Sequence, residues 1–140
     1  AQQAMLIRRM VRDLSFPVQI VVAPTVREPD GLAMSSRNAY LSPEDRAAAP
    51  VLSRALLGAR DAIAGGERDP SLLVTLMRST IKAEPRARLE YAECVRQDTL
   101  EQPERLDTPV LLLVAAVLGH TRLIDNLPVD PDLVEGEGGR

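Results

Sequence analysis

The run Val110 to Leu118, VLLLVAAVL, constrains this chain more than any other stretch. Every side chain in it is apolar, so both faces of the element it forms must be covered, as in a central strand. It falls far short of the ~20 residues that cross a bilayer as a helix. Gly119-His120 follows as a turn signal, and Thr121 to Leu127 returns as a neighbouring strand. Arg88 to Val95 alternates loosely and reads as a third strand with one face exposed. A charged, proline-bearing loop, Gln97 to Thr108, separates it from the central run.

Helices precede these strands. Ser42-Pro43-Glu44-Asp45 is a helix start, with Ser as N-cap, Pro at the first helical position and acids near the positive helix end. A short helix over Pro43–Ala48 and a longer one over Val51–Ala64 are predicted, the second terminated by Gly65-Gly66. Asp69-Pro70 opens another, running to Ala83 and stopped by Pro85. Aromatic residues are 2% of the chain, so the core between helices and strands must be aliphatic. Residues 130–140, acidic and glycine-bearing, read as a disordered tail.

The N-terminal portion has a different pattern. Leu6, Ile7, Met10, Val11 and Leu14 fall at helical spacing over residues 1–16, with Arg8, Arg9, Arg12 and Asp13 mainly opposite. No capping residue precedes Gln2, which puts the expected helix start upstream of Ala1. Pro17 ends the helix, and Val18 to Ala23 reads as a buried strand of a βαβ unit, which needs parallel neighbours that this chain does not supply. The fold class expected is therefore α/β. A helix and strand that make half of a βαβ unit (residues 1–41) lead into a small α+β domain with a three-stranded antiparallel sheet (residues 42–129).

Composition excludes several functions. A net charge of −3 argues against a general nucleic-acid or membrane-surface binder. The chain has one histidine and one cysteine, so neither a zinc cluster nor a Ser-His-Asp or Cys-His set can be assembled from it, and no metal ligand is assigned. Cys94 is expected to be inert core; with no partner for a disulfide, it fits a reducing, cytoplasmic setting. His120 is expected to be a solvated turn residue.

The positive signal is the loop after the predicted strand. Gly31 lets the backbone bend near a ligand. Met34-Ser35-Ser36-Arg37 then offers two hydroxyls, backbone N–H groups and a guanidinium whose planar fork can hold two phosphate oxygens. The plainer alternative is a polar surface turn leading to the Ser42 cap. Val26, leaving the strand, stands where ligands of open α/β sheets bind, and its backbone N–H and C=O could meet a base edge; an ordinary strand end is the alternative. Gln3 carries an amide suited to a hydroxy acid, or is a solvated helix position. Arg122, Asp125 and Asn126 read as structural pairing and turn residues.

Four stretches together resemble the pantothenate synthetase (pantoate–β-alanine ligase) family. They are Gln2-Gln3 with Met5-Leu6-Ile7-Arg8, then Val22-Ala23-Pro24-Thr25-Val26-Arg27. The third is Asp30-Gly31-Leu32-Ala33-Met34-Ser35-Ser36-Arg37-Asn38 with Tyr40-Leu41. The fourth is Ala115-Ala116 and Gly119 with Thr121-Arg122-Leu123-Ile124-Asp125-Asn126. The resemblance extends over nearly the whole chain except the acidic tail.

The resemblance implies that pantoate attacks the α-phosphate of MgATP to give pantoyl adenylate and pyrophosphate, after which β-alanine displaces AMP. It implies that Ser35, Ser36 and Arg37, with Met34, contact the ATP phosphates, that Val26 meets the adenine, and that Gln3 binds pantoate. It also implies that the chain is the C-terminal half of the enzyme, with residues 1–41 the end of a Rossmann-like ATP-binding domain that includes the Met34-Ser35-Ser36-Arg37 loop. The N-terminal half, which carries a His-containing phosphate motif, would be its partner, the complete enzyme would be a homodimer, and the half by itself would be inactive. The competing readings are a non-catalytic dimerisation or regulatory module and another adenylate-forming nucleotidyltransferase.

Overall fold

Prolines and glycines divide the chain into short elements, and the hydrogen bonds at those boundaries follow the sequence cues. The structure, a computed structural model, describes residues 2–134. Helix α1 is Gln2–Asp13, a 3-10 helix spans Ser36–Tyr40, and α2, α3 and α4 are Pro43–Ala48, Val51–Ala64 and Pro70–Lys82. Strands β1, β2 and β3 are Ala87–Arg96, Val110–Leu118 and Thr121–Val129, and α5 is Pro131–Val134. Ser42 caps α2 by accepting from the Asp45 N–H at 3.1 Å, and Asp69 caps α4 by accepting from the Ser71 N–H at 2.8 Å. Gly66, at φ +97, carries the chain away from α3.

The strands form one antiparallel sheet in the order β1-β2-β3. Period-2 alternation sends Leu112, Val114 and Ala116 of β2 toward α3 and α4, where they meet Leu52, Leu56, Leu73, Met77 and Ile81 in an aliphatic core. Leu111 and Leu113 point the other way. They form a second cluster with Val95, onto which Met5 of α1, Tyr91 and Leu100 pack. β2 is apolar throughout because both of its faces are covered. Each fully buried Leu there contributes about 1.5–3 kcal/mol relative to exposure.

Several expectations need correction. The strand predicted over Val18–Ala23 does not form. Val18, Val21 and Val22 are exposed, because among the described residues no segment lies beside them to complete a ladder. The first helix, predicted to reach Phe16, ends at Asp13, where Ser15 turns the chain at φ 51. Its apolar stripe is real but uncovered among the described residues: Leu6 and Leu14 are each 59% exposed. The tail does not begin at residue 130. Pro131 is buried and Val134 packs against the main core, while residues 135–140 lie outside the described ones.

Residues on both sides of the boundary expected after residue 41 contribute to the main core. Leu32, 3% exposed, belongs to the main core, and Leu41 packs against it. The segment from Arg27 onward is thus bonded to the sheet, whereas residues 18–26 form no regular element.

Candidate functional site

The Gly31 turn has a structure that its sequence explains. Arg27 and Ala33 face each other as an isolated antiparallel bridge. The Glu28 N–H donates to the Leu32 carbonyl at 2.8 Å, and the Met34 N–H donates to the Val26 carbonyl at 2.9 Å. Gly31 sits at φ +90, and a Cβ there would stand 2.9 Å from Ser53 Oγ, so a larger residue would be strained and would have to displace Ser53. Asp30 closes the turn by accepting from the Leu32 N–H at 3.2 Å and from Arg46. The Arg46 hydrogen bond holds the Asp30 carboxyl below the usual carboxylate range. Leu32 then drops into the core and pins the turn.

Beyond the turn the loop folds on itself. Ser35 Oγ accepts from the Arg37 N–H at 3.2 Å and caps the 3-10 helix. Asn38 Nδ2 donates to the Ala33 carbonyl at 3.0 Å, which brackets residues 34–37 between two fixed points. Met34, Ser35, Ser36 and Arg37 remain exposed on the bracketed tip. Arg37 Nη1 reaches the Arg122 carbonyl of β3 at 3.4 Å, a long bond at an exposed position.

A cleft of about 740 Å³ opens beside this tip. Gln3 from α1 lines it together with Met34, Ser35 and Arg37, so residues far apart in sequence share one space. Val26 and Ser36 do not line it. The Val26 carbonyl, expected to meet a base edge, accepts from the Met34 N–H and holds the turn closed. Tyr91, Glu93 and Arg122 form the sheet wall of the cleft.

A bulge between Leu89 and Tyr91 lets Glu90 bond the Arg122 guanidinium. That bond keeps Arg122 further into its charged range. Among the described residues no three His, Cys, Asp or Glu side chains gather as a metal site. His120 is exposed at the β2–β3 turn. Cys94 is buried in the main core, and burial pushes its thiol up to about 11.

Sequence reasoning missed Arg27. Its Nη1 donates to Asp125 Oδ2 at 2.7 Å and to the Gly31 carbonyl at 3.0 Å, and its Nη2 donates to Asp125 Oδ1 at 3.1 Å and to the Asn126 carbonyl at 3.3 Å. The Asp125 side chain is only 3% exposed. The signal was legible: Leu123, Asp125, Leu127 and Val129 alternate onto the helix-facing side of β3, and an acid in that series needs a buried cation.

Residues 1–128 match the sequence model of the family described as Pantoate-beta-alanine ligase. The chain belongs to this ligase family. Among its relatives, the pantothenate synthetase of Chloroflexus aurantiacus is 52% identical over 139 residues, covering 99% of this chain and 48% of the relative. That of Thermoanaerobacter pseudethanolicus is 46% identical over 127 residues, covering 91% and 45%. The crystal structure of pantothenate synthetase from Thermus thermophilus superposes with a TM-score of 0.84 at 45% identity, over 90% of this chain and 45% of that one. The pantoate-beta-alanine ligase of Francisella tularensis, solved in complex with beta-gamma ATP and beta-alanine, gives a TM-score of 0.57 at 30% identity, over 93% and 41%. This ligase-family chain spans about half the length of the curated relatives it matches.

Proposed function

We propose that the chain supplies the C-terminal half of an ATP-dependent pantoate–β-alanine ligase. Family membership sets the reaction class. The observation that carries the reading to this chain is the bracketed tip: Ser35 and Arg37 stand at the mouth of a cleft that Gln3 also lines. In this reading a pantoate carboxylate oxygen attacks the α-phosphorus of MgATP and pyrophosphate leaves. The β-alanine amine then attacks the activated carbonyl carbon, and AMP leaves with the electrons of the broken C–O bond.

Ser35, Ser36 and Arg37 stabilise the charge that develops on the phosphates, Ser35 and Arg37 from the cleft lining and Ser36 from the same exposed tip. Met34 borders the phosphates and Gln3 hydrogen-bonds pantoate. Val26 presents its N–H, and the remaining lone pair of its carbonyl, to the adenine. The magnesium ion arrives with ATP. The Francisella relative in complex with beta-gamma ATP and beta-alanine supports the choice of these two ligands.

The partner in this reading is the N-terminal half that the relatives carry. It covers the stripe of Leu6, Ile7, Met10 and Leu14, and gives Val18 to Ala23 the strand neighbours they lack here. The complete enzyme is proposed to be a cytoplasmic homodimer. No helix among the described residues is long and apolar enough to cross a membrane.

The test is AMP release from the chain completed with the N-terminal half of a relative, supplied with MgATP, pantoate and β-alanine. AMP that appears only when both acids are present supports the ligase. No AMP from a folded, associated pair sinks it, and AMP with a different acid in place of pantoate transfers the site to another adenylate-forming enzyme.

A further inference from the structure

We infer that Arg27 is a positioning residue which, clamped on Asp125, mounts the Ser35-Ser36-Arg37 tip on strand β3. The inference rests on the ligase reading of that tip.

Arg27 does not line the cleft, and its guanidinium, on a side chain 26% exposed, is spent on partners within the protein. Three bonds, two to the Asp125 carboxylate and one to the Asn126 carbonyl, fix it on β3, and a fourth ties it to the Gly31 carbonyl of its own turn. Both oxygens of the Asp125 carboxylate are engaged, and Oδ1 also accepts from the Asn126 N–H at 2.7 Å. The backbone of Arg27 is paired with that of Ala33, and bonds on either side of the bridge lock the two strands of the turn. Ala33 is where the tip begins, and its carbonyl takes the Asn38 amide that closes the tip at its other end. A displacement of Arg27 is therefore passed through one bridge to both ends of the segment holding Ser35, Ser36 and Arg37.

The tip itself has no comparable anchor. Among the described residues its one side-chain bond to the sheet is the long, exposed contact from Arg37 to the Arg122 carbonyl. A ligand phosphate can replace that bond. The clamp at Arg27 is not exchanged in this way, because Arg27 does not line the cleft and the Asp125 carboxylate that takes two of its bonds is 3% exposed. The loop thus has a fixed base and an exchangeable tip. That division suits a group whose donors must stand ready at one place and still release the product pyrophosphate. Lysine cannot substitute, since an ammonium lacks the planar fork that meets two carboxylate oxygens and two carbonyls together.

The experiment uses Arg27→Lys and Asp125→Asn, with two readouts. Amide hydrogen exchange on the 140-residue chain reports the mount. The Gly31 and Met34 amides are expected to exchange about tenfold faster or more, while the Met77 amide of α4, buried in the main core and not paired with β3, keeps its wild-type rate. Pyrophosphate release by the chain completed with the N-terminal half reports the consequence. The rate constant per folded enzyme is expected to fall about 10- to 100-fold, with the KM for pantoate unchanged.

Acceleration of Met77 in step with the loop would make the pair a general stabiliser and overturn the inference. So would a freed loop with an unchanged rate constant, or a loop whose exchange does not change. A wild-type completed enzyme that releases no pyrophosphate overturns the ligase reading and this role with it. A working wild type with any of the three earlier results overturns this inference alone.

Discussion

Replacing Gly119 with alanine tests how the hairpin that carries the site wall is built. Leu118 pairs with Thr121, so Gly119 and His120 form a two-residue loop, and Gly119 holds the positive φ, +59, that such a loop needs at its first position. An alanine in the left-handed region costs about 1–2 kcal/mol. The new Cβ would also stand 2.6 Å from Asp45 Oδ2, too close to be borne. Asp45 must then swing away and weaken its 3.0 Å bond to Arg86, an ion pair with half-exposed Arg86 that contributes up to about 1 kcal/mol.

The two effects together make Gly119→Ala less stable by about 2–3 kcal/mol. Urea unfolding followed by far-UV circular dichroism should show a midpoint lowered by about 1 M, given the slope usual for small proteins. In an Asp45→Ala background the close contact is gone and only the backbone strain remains, so there the same substitution should cost about 1–2 kcal/mol. A loss under about 0.5 kcal/mol, or an equal loss in both backgrounds, would refute this account. The functional link is register: a one-residue slip of β3 would put Asp125 on the opposite face, away from Arg27.

Other expectations follow from the same geometry. Leu112→Ala, in the centre of the main core, should destabilise by about 2–5 kcal/mol, whereas Leu6→Ala on the uncovered stripe should change the stability of this chain by no more than about 0.5 kcal/mol in urea unfolding. Cys94 should resist an aromatic disulfide reagent at pH 8 until the chain unfolds. Its folded pKa is raised, so its contribution is fully present below the unfolded value of 9.0 and is lost as pH rises through about 11. In that window wild type should lose up to about 1.4 kcal/mol per pH unit relative to Cys94→Ala, measured by urea titrations at stepped pH. Arg37→Ala in the completed enzyme should raise the barrier to pyrophosphate release by about 2–4 kcal/mol, and an unchanged release rate would remove Arg37 from the reaction.

Much of this protein was already fixed by local chemistry. The caps at Ser42 and Asp69 satisfy backbone donors one turn away, so α2 and α4 begin where their sequences say. The apolar run of β2 announces a strand covered on both faces, and the loop from Gly31 to Arg37 displays donors whose types alone suit a phosphate. Short-range cues of this kind survive in a linear reading because both partners lie within a few residues of each other.

Only the tertiary structure decided the rest. Val18 to Ala23 has the composition of a buried strand, yet a strand exists only where another backbone takes its hydrogen bonds, and none lies beside it among the described residues. Arg27 and Asp125 are separated by most of the chain, and nothing local marks them as a pair. They meet because β3 returns beside the Gly31 turn, where a carboxylate closed off from water requires a cation. Gln3 reaches the cleft of Arg37 because α1 packs Met5 onto the outer face of β2. The sequence determined which chemical groups are available; the long-range packing determined which of them share a space.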